Sequence, residues 1–401
     1  MEWEQFILEH SLDDVAALAL ARKRHSDFPE FELALSTLEC RKKLKDKVPE
    51  WYALPSLRFP LRLSAEQCSS SETARYKASV AKADGASSAI ADLTGGLGVD
   101  AWAFSRVFGK VLYNEMKAEL SAAAAHNFRE LGAGNITVRN CELKAGNLRE
   151  VLDGFQPDVI FLDPARRNSS GRKVFRLEDC TPNVMELLPE LLEACPKLLL
   201  KLSPMADITL VCHQLGHVKE VHVVAAGGEC KELLLLLERG WSAPYSLRLY
   251  SSGSVLPLGE ADLAWTGIPC IPEAGWWLFD PGKALLKAGA FALPCYRFGM
   301  SKIERHTHIY VSPEPVPEQL RPFGRVLEIL EVAPLDKRSL KEIGKRYGKA
   351  DVTACNIPLT SDELRRKAGM QDGAPLHLYG VKSAEGNLLL ICKAYAPDTM
   401  S

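Results

Sequence analysis

The sequence predicts an α/β protein built on a doubly wound parallel sheet, with a helical region before it and small α+β modules after it. Three observations carry that expectation. Between about 86 and 240, short apolar runs alternate with amphipathic helical stretches. One of those runs, at Asp158 to Leu162, reads Val-Ile-Phe-Leu with no polar alternation, as a strand covered on both faces should. From about 243 onward Pro, Gly and aromatic residues rise, with Trp265, Trp276, Trp277 and Phe279, and the strands shorten.

In chain order, Phe6, Ile7, Val15, Leu18 and Leu20 recur at helical spacing, and a second helix through Phe31, Leu35 and Leu38 ends in the basic run Arg41 to Lys47. A solvated helix end is the common origin of such a run. Val48 to Pro55 then reads as a boundary. The predicted strands are Ser88–Leu93, Lys110–Tyr113, Ile136–Val138, Asp158–Leu162 and Lys197–Leu202, closed by the pair Val218–Val224 and Glu232–Glu238. Helices are expected at Ala101–Phe108, Lys117–Leu131 and Val184–Ala194. The C-terminal end reads as strand, basic helix, strand and hairpin: Arg325–Val332, Leu340–Tyr347, Asp351–Ala354, Leu376–Val381 and Asn387–Ala394. With 401 residues the chain has room for two to four domains. The expected regions are 1–60 (helical), 61–242 (the sheet), 243–324 and 325–401.

Composition narrows the function classes. Lys plus Arg is 49 against 51 Asp plus Glu, a formal charge of −2, which excludes a polybasic coat but not local basic patches. The 11 Cys include no CxxC, so zinc ribbons and thioredoxin-type motifs lack their spacing, and inert buried thiols are expected. His213 and His217 share a helical spacing without a third ligand, so no metal is expected. Acids at the N-terminus and short apolar runs point to a cytoplasmic protein with no membrane partner.

The chemistry concentrates in a few segments. Ile90-Ala-Asp-Leu-Thr-Gly-Gly-Leu-Gly-Val-Asp100 is a strand, a glycine turn and a helix start, where backbone approaches a ligand closely. Gly96-x-Gly98-x-x-Ala101 also fits the relaxed dinucleotide fingerprint, so this turn alone leaves NAD(P) and other nucleoside cofactors open. Glu115, at the end of the next strand, is placed to accept bonds from two ribose hydroxyls. Asn140-Cys141-Glu142 ends the third strand, near an adenine. Asp163-Pro164 ends the fourth, and Arg166, Arg167, Arg172, Lys173 and Arg176 follow with no acid between them. Five cations in eleven residues beside a crevice suggest a phosphate-bearing substrate. Glu66 to Ala78 is dense in hydrogen-bonding groups; Gln67, Ser69 or Lys77 could point inward, and Lys201 is a further pocket candidate.

In this order of motifs the chain resembles class I S-adenosylmethionine-dependent methyltransferases. It resembles more closely a bacterial family with a ferredoxin-like module and a THUMP-like C-terminal domain. The stretches that carry the resemblance are EQCSSSETARYKA (66–78), ADLTGGLGVD (91–100), YNEM (113–116), FLDPARR (161–167), LKLSPMADI (200–208) and GGECKELLL (227–235). The resemblance implies a Rossmann-like methyltransferase sheet and S-adenosylmethionine as cofactor. It places Asp92, Gly96 and Gly98 at the methionine part, Glu115 at the ribose, and Cys141 at the adenine. Gln67, Lys77, Met116 and Asp163 complete the cofactor set. Asp163, Pro164 and Arg166 would be catalytic, with Arg166, Arg167, Arg172, Lys173, Lys341 and Lys345 on the substrate. Ala165 and Arg166 stand where amino-group methyltransferases have Pro and an aromatic, so the acceptor atom stays open.

Three functions are in play: methyl transfer to RNA, with tRNA or rRNA leading; an NAD(P)-dependent oxidoreductase; and a non-catalytic RNA-binding protein that keeps the fold.

Overall fold

The computed structural model describes residues 2–25, 27–83, 85, 87–166, 176–264, 267, 269–373 and 375–395. The chain divides into two compact units, Met1–Val221 with Glu232–Tyr245, and His222–Lys231 with Ser246–Ser401.

The first unit opens with helices α1 (Trp3–Glu9), α2 (Val15–Leu20) and α3 (Phe31–Lys47), joined by an apolar cluster of Phe6, Leu18, Phe28, Phe31 and Leu38. The basic run is not simply solvated. Arg41 is buried and donates to the carbonyls of Tyr52 and Leu54, and Lys47 donates to those of Ala65 and Glu66. Free carbonyls at the ends of the short helices α4 (Pro49–Tyr52) and α5 (Arg62–Gln67) attract these cations. Helix α6 (Ser71–Ala81) starts with a capping box between Ser70 and Thr73.

The sheet then forms from β1 (Ala89–Asp92), β2 (Lys110–Asn114), β3 (Ile136–Arg139), β4 (Val159–Leu162), the short pair β5 (Ala165–Arg166) and β6 (Cys180–Thr181), β7 (Lys197–Leu202), β8 (Val218–Ala226) and β9 (Glu229–Glu238). Between them run α7 (Val99–Ser105), α8 (Ala118–Glu130), α9 (Leu148–Leu152), α10 (Val184–Ala194) and α11 (Ile208–Leu215). Seven strands of a nine-stranded sheet follow the order β3-β2-β1-β4-β7-β9-β8 from one edge, with β5 and β6 forming a separate small ladder. Strands β3, β2, β1, β4 and β7 are parallel, and β9 lies antiparallel to β7. Residues Ala89–Asp92 and Val159–Leu162 are buried throughout, as strands covered on both faces must be.

The second unit contains the hairpin β10 (Ser246–Ser251) and β11 (Ser254–Leu258), then β12 (Trp277–Pro281), α12 (Lys283–Lys287), α13 (Leu293–Tyr296), β13 (Ser301–Glu304) and β14 (Thr307–Ser312). It continues through β15 (Gly324–Pro334), α14 (Lys337–Tyr347), β16 (Asp351–Cys355), α15 (Ser361–Ala368), β17 (Leu376–Ser383) and β18 (Gly386–Ala394). One sheet of order β13-β14-β12-β15-β18-β17-β16 runs through it, and β15 pairs with β12 on one edge and β18 on the other. Its faces alternate as a strand's period of two requires. Leu327, Tyr379 and Leu390 enter one core, while Leu378, Leu389 and Ile391 meet Leu340, Ile343 and Leu364 of α14 and α15 in another. No described helix is long and apolar enough to cross a membrane.

Candidate active site

The site lies where β1, β2, β3, β4 and β7 end, the edge at which open α/β sheets bind ligands. After Asp92 the chain makes the turn Leu93 to Gly98 and enters α7. Each glycine answers a different demand. A Cβ on Gly95 would stand 2.1 Å from the Tyr113 ring, whose hydroxyl donates to the Gly96 carbonyl at 2.6 Å. Gly98 has φ +94°, and a Cβ there would meet Phe128 at 2.7 Å. Tyr113 and Phe128 therefore shape the turn from behind. At Gly96, with φ +53°, a Cβ would meet only the Thr94 carbonyl, at 3.9 Å.

Glu115 closes the turn's other side. One carboxylate oxygen accepts the Gly96 N–H at 2.9 Å and the other the Lys117 N–H at 2.8 Å. Asn114 ties the end of β2 to that of β3, donating to the Cys141 carbonyl at 3.0 Å and accepting its N–H at 3.1 Å. The Asp163 N–H donates to the Thr94 hydroxyl at 2.6 Å, which fixes the Asp-Pro turn against the glycine turn.

These ends surround a cavity of about 830 Å³. Of the residues singled out from sequence, Gln67, Gly96, Gly98, Glu115, Met116, Cys141 and Asp163 line it, as do Ser69 and Lys201. Asp92, Lys77 and Pro164 are buried behind its wall. The backbone of Arg166 pairs with Cys180. The Arg166 side chain and the candidates Arg167, Arg172 and Lys173 lie outside the described residues, while Arg176 reaches the cavity. Lys341 and Lys345 are exposed on α14 of the second unit. His213 sits on α11, and no described group of His, Cys, Asp and Glu forms a metal cluster. The described cysteines are buried or half-buried thiols outside any disulfide.

Behind the wall runs a chain of charges that sequence reasoning missed in part. Lys201 is paired with Asp163 and stands 3.8 Å from Glu232. Glu232 accepts from Lys77 at 2.8 Å, and Lys77 lies 3.2 Å from Asp100. Ser69 accepts from Lys77 at 2.8 Å and donates to Asp100 at 2.8 Å. Burial works to lower the Lys201 pKa, but the charges of Asp163, Glu232 and Asp100 hold it above the usual ammonium value. Burial, then the nearby Asp100 charge, pushes the Asp92 carboxyl well above its usual range. Asp100 and Glu232 stood inside the motifs 91–100 and 227–235, without a sign that they meet. Their meeting joins segments more than a hundred residues apart.

This architecture is that of a Rossmann-like methyltransferase fold, in which an antiparallel strand (here β9) separates the fifth and sixth positions of a 3-2-1-4-5-6 order. A putative methyltransferase from Porphyromonas gingivalis W83 is similar over the length of the chain, with 31% identity, a TM-score of 0.79, and coverage of 92% of this chain and 91% of that one. The chain belongs to the same family as that protein. Residues 277–318 match a ferredoxin-like domain and residues 324–394 a THUMP domain-like one. An rRNA methylase from Streptococcus thermophilus aligns at 14% identity and a TM-score of 0.30, over 42% of this chain and 94% of its own. No curated protein matches the sequence.

Proposed function

We propose that this protein is an S-adenosylmethionine-dependent methyltransferase acting on RNA, with tRNA or rRNA as substrate. The observation that carries the cofactor reading is the charge of the wall. Asp100, Glu115 and Asp163 line it around the glycine turn, close enough that each disfavours ionisation of Asp92 behind them. A dinucleotide would bring its pyrophosphate to this helix start, against those carboxylates. A donor carrying a sulfonium and an ammonium meets opposite charge instead. The residues present therefore suit S-adenosylmethionine better than NAD(P).

When bound, that cofactor supplies an activated methyl group, and the chain's own work is alignment and exclusion of water. Glu115, already held by two backbone N–H groups, would take the ribose hydroxyls without rearranging. Asn114 and the Cys141 backbone would border the adenine. Asp163, paired with Lys201, would accept a hydrogen bond from an N–H or O–H of the acceptor. The RNA reading is supported by the THUMP domain-like match and by α14, where Lys337, Lys341 and Lys345 are exposed.

Calorimetry with S-adenosylmethionine, S-adenosylhomocysteine and NADH tests the cofactor, and binding of NADH alone would overturn the proposal. Comparing modified nucleosides by mass spectrometry, in cells with and without the gene, tests the substrate. In a K341A/K345A/R346A variant the slope of log affinity for tRNA against log salt should flatten by about 2 to 3. An unchanged slope would remove α14 from the RNA contact.

A further inference from the structure

Glu232 is buried, with its side chain 4% exposed, and it is absent from the cavity wall, yet both of its carboxylate oxygens face lysines. Oε1 holds Lys77, which carries Asp100; Oε2 faces Lys201, which carries Asp163. Asp100 and Asp163 both line the cavity. Glu232 is thus the link through which two separate wall carboxylates share one buried chain. Within that chain three carboxylates stand against two ammoniums, which leaves one negative charge at the wall. A structural ion-pair chain would be expected to close neutral, since an uncompensated buried charge is costly. Within this chain of described residues the surplus is not matched, and a cation entering the cavity would meet it.

We infer that Glu232 sets the charge of the donor-binding wall and thereby its preference for the methylated, cationic cofactor over the demethylated product. The inference rests on the S-adenosylmethionine reading. Loss of the methyl group removes the sulfonium charge, so the wall's surplus negative charge is no longer matched and the product is held less tightly than the donor's shape alone would give. Glu232 acts through Lys201 and Lys77, which makes it a positioning and specificity residue rather than a catalytic one.

The test needs no acceptor. Calorimetry gives the ratio of the S-adenosylhomocysteine Kd to the S-adenosylmethionine Kd for the full-length protein and three variants. In E232Q each lysine keeps one acid partner and the chain becomes neutral, so the ratio should fall about tenfold. In K201Q the chain gains a negative charge and the ratio should rise by a similar factor. In K201Q/E232Q the surplus returns to its original value, and the ratio should lie within about twofold of the wild type. A purely structural role would move E232Q and K201Q in the same direction and make the double variant worse than either. That result, or an unchanged ratio in a cooperatively melting E232Q, overturns the inference. Should E232Q not fold, a K201Q ratio that fails to rise overturns it independently. A wild type that binds neither sulfur cofactor defeats the methyltransferase reading itself, and this inference with it.

Discussion

The two units bury charge in different ways. In the first, carboxylates outnumber their lysine partners and two of them face an 830 Å³ cavity. In the second, buried or half-buried acids are met by local donors. Asp280 receives Arg325 at 2.5 Å and the Tyr379 hydroxyl at 2.8 Å, and Glu331 receives Arg346 at 2.7 Å and Tyr347 at 2.8 Å. Acids closed by their own neighbours hold a sheet together. Acids left in surplus beside a cavity are where the proposed cationic cofactor would bind.

The sharpest way to break this comparison is Asp163→Ala. Methyl transfer to total RNA should fall by about a thousandfold or more, while S-adenosylmethionine still binds, with an affinity lowered by about tenfold for the one wall charge removed. A variant that transfers methyl normally would remove Asp163 from the reaction. Glu115→Ala comes next, with cofactor affinity expected to drop about 30-fold or more because a pre-positioned acceptor of two hydroxyls is lost. A loss below threefold would place the ribose elsewhere.

Glycine substitutions then separate the units. Gly98→Ala forces a positive φ on alanine and a contact with Phe128, and should cost about 2 kcal/mol of stability together with cofactor affinity. Gly344→Ala places a Cβ 1.7 Å from the Ala368 carbonyl where α14 crosses α15, and should cost stability while sparing cofactor affinity. Thermal melts paired with calorimetry distinguish the two, and a Gly344→Ala protein that loses cofactor would contradict the division.

The smallest effect concerns pH. Burial, then the Arg325 charge, lowers the His377 pKa to about 4 from an ordinary 6.5. Between those values the unfolded chain binds the proton and the folded chain does not, so stability from this group is full above about 6.5 and lost as pH falls toward about 4. Thr353 shares a 2.7 Å hydrogen bond with that ring. His377→Gln should flatten the fall in Tm across this window by a few degrees, and an unchanged profile would show that His377 is solvated.

Much of this was legible in the chain. Strands β1–β4 and β7–β9 were marked by apolar runs within three residues of their ends, and the glycine turn, Glu115 and Asp163 follow from strand–turn–helix order. Helix α15 was not read, although Thr360 and Glu363 form its capping box and so left a signal. The charge chain was not legible for another reason. Asp100, Glu232 and Lys77 belong to a helix start, a late strand and an early helix, and only the tertiary fold brings them within hydrogen-bonding distance. Likewise the inward turn of Arg41 depends on carbonyls that become available only once α4 has formed.

The pairing of β15 with both β12 and β18 bears on how this chain can be divided. The ferredoxin-like and THUMP domain-like segments are consecutive matches, but β12 of the first pairs with β15 of the second, so a continuous ladder of backbone hydrogen bonds joins them. A fragment ending before Gly324 would expose the edge of β12 along its length, with Leu278 and Phe279 beside it, which is a template for intermolecular pairing. Evolution can lengthen or decorate either segment at its outer strands, whereas exchanging one for a foreign module would require a new partner for β12.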